Sequence, residues 1–242
     1  MRMRPRFALT AVLAVTLSSA ARAEPAEAKA LDADPLLAGW WTLDETAGTK
    51  AADASKHARH GTLQGGLSFE AQSVPGRIGK ALQLDGKQGF LEVVGYKGIP
   101  GTRPRSAAVW LKTKRNRGEL LGWGADDCGK MWTLGFIRGR VGINPSGGYY
   151  YMNDETHDDR WHHVAAVMTA GDPPNLHDNV TLYLDGAPAK PHDIGLLDLW
   201  PLDTGGAIDV RVGRGFDGAL DDLRLYERVL DRDEIKSLCA GT

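Results

Sequence analysis

Short runs of alternating apolar and polar residues follow one another from residue 81 to residue 226. A period of two places successive side chains on opposite faces of a strand. Turn residues, most often glycine, separate about a dozen such runs, and no convincing helix lies between them. The pattern predicts an all-β domain built as an antiparallel sandwich or jelly roll. Asp85-Gly86 and Asp185-Gly186 each follow a run and are predicted to form hairpin turns, since both residue types tolerate a positive φ.

The last run, Gly213–Tyr226, has the pattern of a long final strand. Alternation predicts one acid among apolar residues on a single face: Ala219, Asp221, Leu223 and Leu225. An unpaired buried charge is costly and usually acquires a hydrogen-bonding group, a cation or a metal. Asp221 is therefore a candidate site residue, with the alternative that it lies at the entrance of the strand and stays hydrated.

One helix is predicted, at the end of the chain. Asp231 and Glu234 have the spacing of a capping box, and Ile235 and Leu238 give the segment an apolar edge before Gly241. The helix is short, and we expect it to cover one edge of a sheet.

The first 23 residues are typical of an export signal. Three arginines precede an apolar run over residues 7–17, and Ala21-Arg22-Ala23 supplies a small-x-small cleavage site. Residues 24–37 contain two prolines and lack periodicity, so they are predicted to form a linker. Residues 38–242 are predicted to form one domain. We expect the mature protein to be secreted or to lie in the periplasm or cell envelope.

Composition narrows the range of partners. The formal net charge is −2 with intermixed signs, which predicts no basic surface for nucleic acid. No segment after the signal approaches the roughly 18 to 20 apolar residues that a membrane span needs. Cys128 and Cys239 could pair as a disulfide in an oxidising compartment.

Several motifs resemble, in order and spacing, the laminin-G-like, concanavalin A-like jelly-roll domains of secreted bacterial proteins. The motifs lie at Trp41–Glu45, Gly76–Gly86, Trp161–Ala165, Leu182–Gly186 and Phe216–Leu230. The resemblance implies two antiparallel sheets packed as a sandwich, with a binding or adhesion function that is often directed at carbohydrate.

The resemblance also implies a structural calcium ion that joins an N-terminal loop to the final strand. Carried onto this sequence, its side-chain ligands are Asp53 and Asp221, with backbone oxygens near His57 and Gly61 assisting. A hard cation takes six to eight oxygen ligands, which two carboxylates, loop carbonyls and water could supply. Lys56, His57 and Arg59 add positive charge to this loop, where relatives often have asparagine and glycine.

Aromatic residues are the predicted ligand contacts, because aromatic faces stack on the apolar faces of sugar rings. The candidates are Trp110, Trp132, Tyr149, Tyr150 and Tyr151. The alternative is that they are packing residues of the sandwich.

A recognition or adhesion module without enzymatic activity is the predicted function, with glycan as the leading ligand class. The first alternative is a protein-binding or structural module of the envelope. The second is a polysaccharide-cleaving enzyme, because the same sandwich hosts such enzymes. The Glu-x-Asp-x-x-Glu pattern that is typical of jelly-roll glucanases does not occur in the sequence, and the nearest acids belong to the final-strand motif.

Overall fold

A computed structural model describes residues 30–192 and 200–241. The predicted signal peptide, residues 1–23, lies outside these residues. Sixteen strands in the described part form two antiparallel sheets, so the predicted all-β sandwich is confirmed. The strands are, in chain order, β1 (Leu37–Trp41), β2 (Lys50–Ala51), β3 (Gly61–Leu63), β4 (Ser73–Pro75), β5 (Lys80–Asp85), β6 (Leu91–Val93), β7 (Arg105–Lys112), β8 (Glu119–Gly124), β9 (Met131–Ile137), β10 (Arg140–Asn144), β11 (Tyr150–Tyr151), β12 (Trp161–Met168), β13 (Val180–Leu184), β14 (Ala187–Pro188), β15 (Ile208–Val212) and β16 (Asp217–Tyr226).

The first sheet has the order β14-β13-β12-β7-β16-β5-β4, and β1 also pairs with β16. The second sheet has the order β11-β10-β9-β8-β15-β6-β3-β2. Two single-turn helices, α1 (Phe69–Gln72) and α2 (Leu176–Asn179), lie in connections, and α3 (Arg232–Ala240) ends the described chain.

The main hydrophobic core fills the space between the two sheets. Every second residue of β7, from Ala107 to Leu111, faces it, as the alternation predicts. The indoles of Trp123 and Trp132 are fully buried there with ring centroids 6.2 Å apart. Fully burying a large side chain stabilises the fold by roughly 1.5 to 3 kcal/mol, so these two residues belong to the packing that holds the sheets together.

Strand β16 contains a bulge that the alternation does not predict. The register with β7 shifts between Asp221 and Arg224, and Asp222 has a φ of +46°. Leu220 and Leu223 both lie in the core although strict alternation puts them on opposite faces. The predicted grouping of Asp221 with Leu223 and Leu225 is therefore wrong, because the extra residue of a bulge reverses the parity of the side chains that follow.

A second apolar cluster covers part of the outer face of the first sheet. It joins Leu31 and Tyr226 to Ile235 and Leu238 of α3. The predicted helix is confirmed, and Asp231 and Glu234 form its capping box. Residues 30–36, which the sequence assigned to a linker, are packed within the domain.

Ion pairs attach this N-terminal segment to the end of β16 and the turn that follows. Asp32 pairs with Arg224, and Asp34 accepts a 2.6 Å hydrogen bond from the Arg228 guanidinium. The prediction of a linker missed these contacts because the residues that hold the segment are almost 200 positions away in sequence.

The two Asp-Gly turns have different outcomes. Asp185-Gly186 joins β13 to β14 with φ values of +49° and +79°, so this predicted hairpin is confirmed. Asp85-Gly86 follows β5 of the first sheet, but the next strand, β6, belongs to the second sheet. The predicted hairpin is wrong there, because β6 pairs with β3 and β15 instead of returning along β5.

Candidate functional site

The carboxylate of Asp53 is hydrogen bonded on both oxygens. Oδ1 accepts from the backbone amides of Trp40 and Ser55, each at 2.9 Å. Oδ2 accepts from the Ser55 hydroxyl and the Arg59 amide, each at 2.8 Å. A carboxylate oxygen has two acceptor positions, so these four donors use the capacity of the side chain. Asp53 holds the loop of residues 53–61, the Asp53 loop, to β1.

Asp221 binds a different loop. Its Oδ2 accepts from the amides of Arg77 and Ile78 at 2.7 and 2.8 Å, while its Oδ1 is buried without a hydrogen-bond partner. Burial raises the pKa of Asp221 to about 7, although the two amides act in the opposite direction.

Gly61, the third predicted calcium ligand, lies in β3, where a Cβ atom would come within 2.8 Å of the Leu91 side chain. Across residues 30–192 and 200–241, no three acidic, histidine or cysteine side chains form a cluster that could hold a metal. In this arrangement Asp53 does not fit a calcium ligand, because amide and hydroxyl donors occupy both of its oxygens. The calcium site stays a prediction, and chelation is its test.

Both cysteines are free thiols in the structure. Cys128 is exposed in the connection between β8 and β9 of the second sheet, whereas Cys239 lies half-buried on α3 against the first sheet. The predicted disulfide is thus not formed, because its two members lie on different sheets of the sandwich. Burial raises the pKa of the Cys239 thiol to about 11.

Three of the five aromatic candidates are packing residues. Trp132 and Tyr150 belong to the core between the sheets. Trp110 points outward from β7 but is only 4% exposed, because the Arg77 guanidinium and the His163 ring cover it at 4.9 and 5.2 Å. The prediction that these three residues contact a ligand is not supported by their burial.

The other two aromatic candidates lie at one edge of the second sheet. Tyr151 is only 4% exposed, because its ring is stacked between Tyr149, at a centroid distance of 6.0 Å, and His192, at 5.1 Å, whereas Tyr149 is partly exposed. The Arg138 guanidinium lies 4.9 Å from the centre of the Tyr149 ring. Since Tyr150 faces the core, alternation places Tyr151 on the outer face of the sheet.

Next to this aromatic edge, glycines form the floor of the outer face, and the chain itself covers two of them: a Cβ would lie 2.7 Å from the Gly118 carbonyl oxygen at Gly135 and 2.1 Å from the Tyr150 carbonyl oxygen at Gly142. Gly142 is paired with Tyr151 on one side and with Gly135 on the other, and Gly135 is opposite Glu119 of β8. Gly122 of β8 faces the same way, since a Cβ there would meet the side chains of Glu119 and Thr133. Glycine in a strand interior permits close approach, which at Gly135 and Gly142 is used by neighbouring backbone.

Polar side chains border this floor. The Arg211 guanidinium holds the Glu119 carboxylate by two hydrogen bonds of 2.7 and 3.0 Å, and Arg214 lies 3.8 Å from the same carboxylate. Thr133 and Asn144 stand in register beside Gly122. These side chains line a groove of about 460 Å³ beside Gly122, and we call it the glycine groove. Its lining residues are Glu119, Asp126, Met131, Thr133, Asn144, Ser146, Ile208, Arg211 and Arg214.

The Laminin_G_3 family model, described as the concanavalin A-like lectin/glucanases superfamily, matches residues 85–236. The chain belongs to this superfamily. The resemblance that the sequence motifs indicate is thereby confirmed. No curated protein matches the chain in sequence.

Solved structures with this concanavalin A-like fold cover most of the chain. Domain 4 of an extracellular GH43 arabinanase from Geobacillus stearothermophilus, in complex with arabinotriose, has a TM-score of 0.61 and 20% identity over 84% of this chain and 98% of that domain. Trypanosoma rangeli sialidase with the inhibitor DANA has a TM-score of 0.55 and 15% identity over 85% of this chain and 34% of the sialidase. The binding domain of botulinum neurotoxin serotype D has a TM-score of 0.52 and 12% identity over 89% of this chain and 52% of that domain. These similarities show the fold.

The side chains that line the groove of the concanavalin A-like domain were not predicted as site residues, and glycines in the neighbouring strands are the only local signal. Gly122, Gly135 and Gly142 each stand between apolar residues inside a predicted strand. An isolated glycine in a strand is a signal of close backbone approach, and Gly122, which is paired with Thr133, is the one that lies beside the groove.

Within residues 30–192 and 200–241, no helix has the length and apolar character needed to cross a membrane.

Proposed function

We propose that this domain is a non-enzymatic glycan-recognition module and that the glycine groove is its binding surface. The observation that carries the proposal is a groove of about 460 Å³ lined by hydrogen-bonding side chains, on the outer face of the sheet whose edge carries the partly exposed ring of Tyr149. Tyr149 offers a sugar ring an apolar face to stack on. Thr133, Asn144 and the Arg211–Glu119 pair supply donors and acceptors for hydroxyl groups.

The Arg211–Glu119 pair also argues against catalysis in this groove. Retaining glycosidases place two carboxyl groups about 5 to 5.5 Å apart, and one of them must attack the sugar. Both oxygens of Glu119 are engaged by Arg211, so this acid serves to orient a donor group. Binding without bond cleavage is the function that this arrangement favours.

The structural neighbours are consistent with recognition of carbohydrate. The arabinanase domain was solved with arabinotriose, and the neurotoxin neighbour is a binding domain. Because a signal peptide is predicted, we infer that recognition takes place outside the cytoplasm and that the protein is secreted or belongs to the envelope.

A binding experiment with one matched pair of variants tests the proposal. The protein is titrated with arabino-, xylo- and gluco-oligosaccharides by calorimetry after a glycan-array screen. Thr133→Arg fills the groove, whereas Thr62→Arg makes the same change on the same sheet face, four strands away. We expect Thr133→Arg to weaken binding at least about tenfold and Thr62→Arg to retain it.

Three results would count against the proposal. If the protein bound none of the glycans tested, the result would favour a protein-binding or structural module. If Thr133→Arg and wild type bound the oligosaccharide with equal affinity, the binding site would not be the glycine groove. New reducing ends from a soluble polysaccharide, lost in a Glu119→Gln variant, would show a cleaving enzyme.

A further inference from the structure

A second open surface lies on the opposite side of the sandwich. Residues 30–36 and α3 cover one half of the outer face of the first sheet, as far as the row of His163, Trp110 and Asp221. Beyond that row the face is open and forms a cleft of about 520 Å³. This cleft and the glycine groove lie on different sheets, so they are independent surfaces.

The floor of the cleft is a row of four residues in register on four adjacent strands. Trp161 is paired with Lys112, Lys112 with Ala219, and Ala219 with Gln83. Neighbouring strands lie about 4.8 Å apart, so the row extends over about 14 Å. The short side chain of Ala219 leaves a depression between Lys112 and Gln83. We call the cleft above this row the Trp161 cleft.

The ends of the row differ in chemistry. The Trp161 side chain is partly exposed and offers an aromatic face at one end. At the other end, the Gln83 amide nitrogen donates to the Leu84 carbonyl at 3.0 Å, which directs the amide oxygen to accept from a ligand. An aromatic platform with a polar acceptor some distance away suits a ring that carries hydroxyl groups.

Charge in the cleft is positive because of one residue. Lys114 is paired with Asp159 at 3.1 Å, and Arg115 lies 3.7 Å from Asp217, so the cations of the rim have acidic partners. Within the described residues, Lys112 has no carboxylate within ion-pair distance, although it stands in the middle of the row. An unpaired ammonium at the centre of a cleft attracts an anionic ligand group.

We propose that the Trp161 cleft binds an acidic saccharide. The sugar ring stacks on Trp161, and its anionic substituent pairs with Lys112. The substituent is the carboxylate of a uronic acid or a sulfate ester, since both present oxygens to an ammonium group. The spacing of about 14 Å between Trp161 and Gln83 gives an oligosaccharide contacts at both ends of the row.

The experiment measures binding of the full chain to three oligosaccharide classes at low salt. Oligogalacturonate carries carboxylates, heparin-derived oligosaccharides carry sulfate esters, and xylo-oligosaccharides are neutral. We expect one of the acidic classes to bind and the neutral class to bind at least about tenfold more weakly at this cleft. Binding should weaken as salt is added, because exposed ion pairs are screened.

Variants locate the binding. Trp161→Ala should weaken acidic-saccharide binding about tenfold, and Lys112→Gln should weaken it about fivefold. Lys114→Gln is the matched control, since it removes a second lysine of the cleft lining that is already paired with Asp159. Thr133→Arg, in the glycine groove, should leave this binding unchanged.

Some outcomes overturn the proposal. It is wrong if Lys112→Gln binds like wild type, if Thr133→Arg abolishes the binding, or if neither acidic class binds. It is also wrong if an oligoglutamate peptide of the same charge binds as tightly as the saccharide, which would assign the cleft to acidic peptides. If Trp161→Ala fails to fold, Trp161→Phe and Lys112→Gln decide the question, with thermal melts as the check on folding.

Discussion

Replacing Asp53 with alanine is expected to destabilise the domain strongly, without any metal being involved. The side chain is 7% exposed and accepts four hydrogen bonds. Three of them come from the backbone amides of Trp40, Ser55 and Arg59. Alanine would leave these amides without their acceptor and would release the Asp53 loop from β1.

The size of the loss follows from the number and type of these bonds. A hydrogen bond to a charged acceptor contributes roughly 1.5 to 3 kcal/mol, and water can replace part of it where the loop is exposed. We therefore expect Asp53→Ala to lower the free energy of unfolding by about 3 to 5 kcal/mol, a large part of a domain's total stability. Asp53→Asn keeps an acceptor for Trp40 and Ser55 but places an amide opposite the Arg59 N–H, so about half of that loss is expected.

The assay is urea unfolding of wild type and both variants, each in the presence of calcium and of a chelator. The hydrogen-bonded loop predicts the same order of stability in both conditions and no effect of chelator on wild type. The calcium site implied by the sequence resemblance predicts the opposite, because a ligand that binds only the folded state stabilises it. A chelator-dependent loss in wild type, absent from Asp53→Ala, would refute the hydrogen-bond argument.

Burial lowers the pKa of His163 from 6.5, its value in the unfolded chain, to about 4. The neutral form of His163 therefore stabilises the fold above pH 6.5, and this contribution is lost as the pH falls through 4. Unfolding free energy should fall by up to about 3 kcal/mol over that window, and His163→Phe should flatten the dependence; an unchanged slope would contradict it. Exposed Cys128 should react with a thiol reagent in the folded protein and Cys239 slowly, while a reductant leaves the melting temperature unchanged. A disulfide-linked peptide in mass spectrometry would contradict this. Trp132→Ala should cost about 3 to 5 kcal/mol of stability, whereas the surface change Tyr149→Ala should cost under about 1 kcal/mol; equal losses would show that Tyr149 is a packing residue.

Alternation predicted the fold because it reports local geometry. Ala107, Val109 and Leu111 of β7 face the core as their period requires, and the capping box of Asp231 and Glu234 starts α3 where it was expected. Both features depend on residues a few positions apart. The motifs that carry the family resemblance are of the same kind, and the family match confirms them.

Properties that depend on distant residues were not predictable in this way. The period places Trp110 on the outer face correctly, but only the loop at Arg77 and the ring of His163 make it inaccessible. Trp132 alternates with Leu134, so its inward direction could have been inferred from the pattern. The glycine groove depends on the pairing of β8, β9 and β10, which no single strand reveals.

The Asp221-Asp222 bulge lies next to the segments that cover part of the outer face of the first sheet. β16 pairs with β5 through Asp217–Leu220 and with β1 through Leu223–Tyr226, so the bulge lies where one partner strand replaces the other. On one side Asp221 holds the amides of the loop that covers Trp110.

On the other side Asp222 accepts a 2.6 Å hydrogen bond from the Trp40 indole and binds the Arg224 guanidinium at 3.1 Å. Asp221 thus fixes the loop over Trp110, and Asp222 orients Arg224, which pairs with Asp32 of the N-terminal covering segment. The open Trp161 cleft begins where the covering segments end. The acidic pair of the final strand therefore acts by positioning the covering segments. It follows that substitutions at either aspartate should change stability and cleft access together, while substitutions at Trp161 or Lys112 should change binding alone.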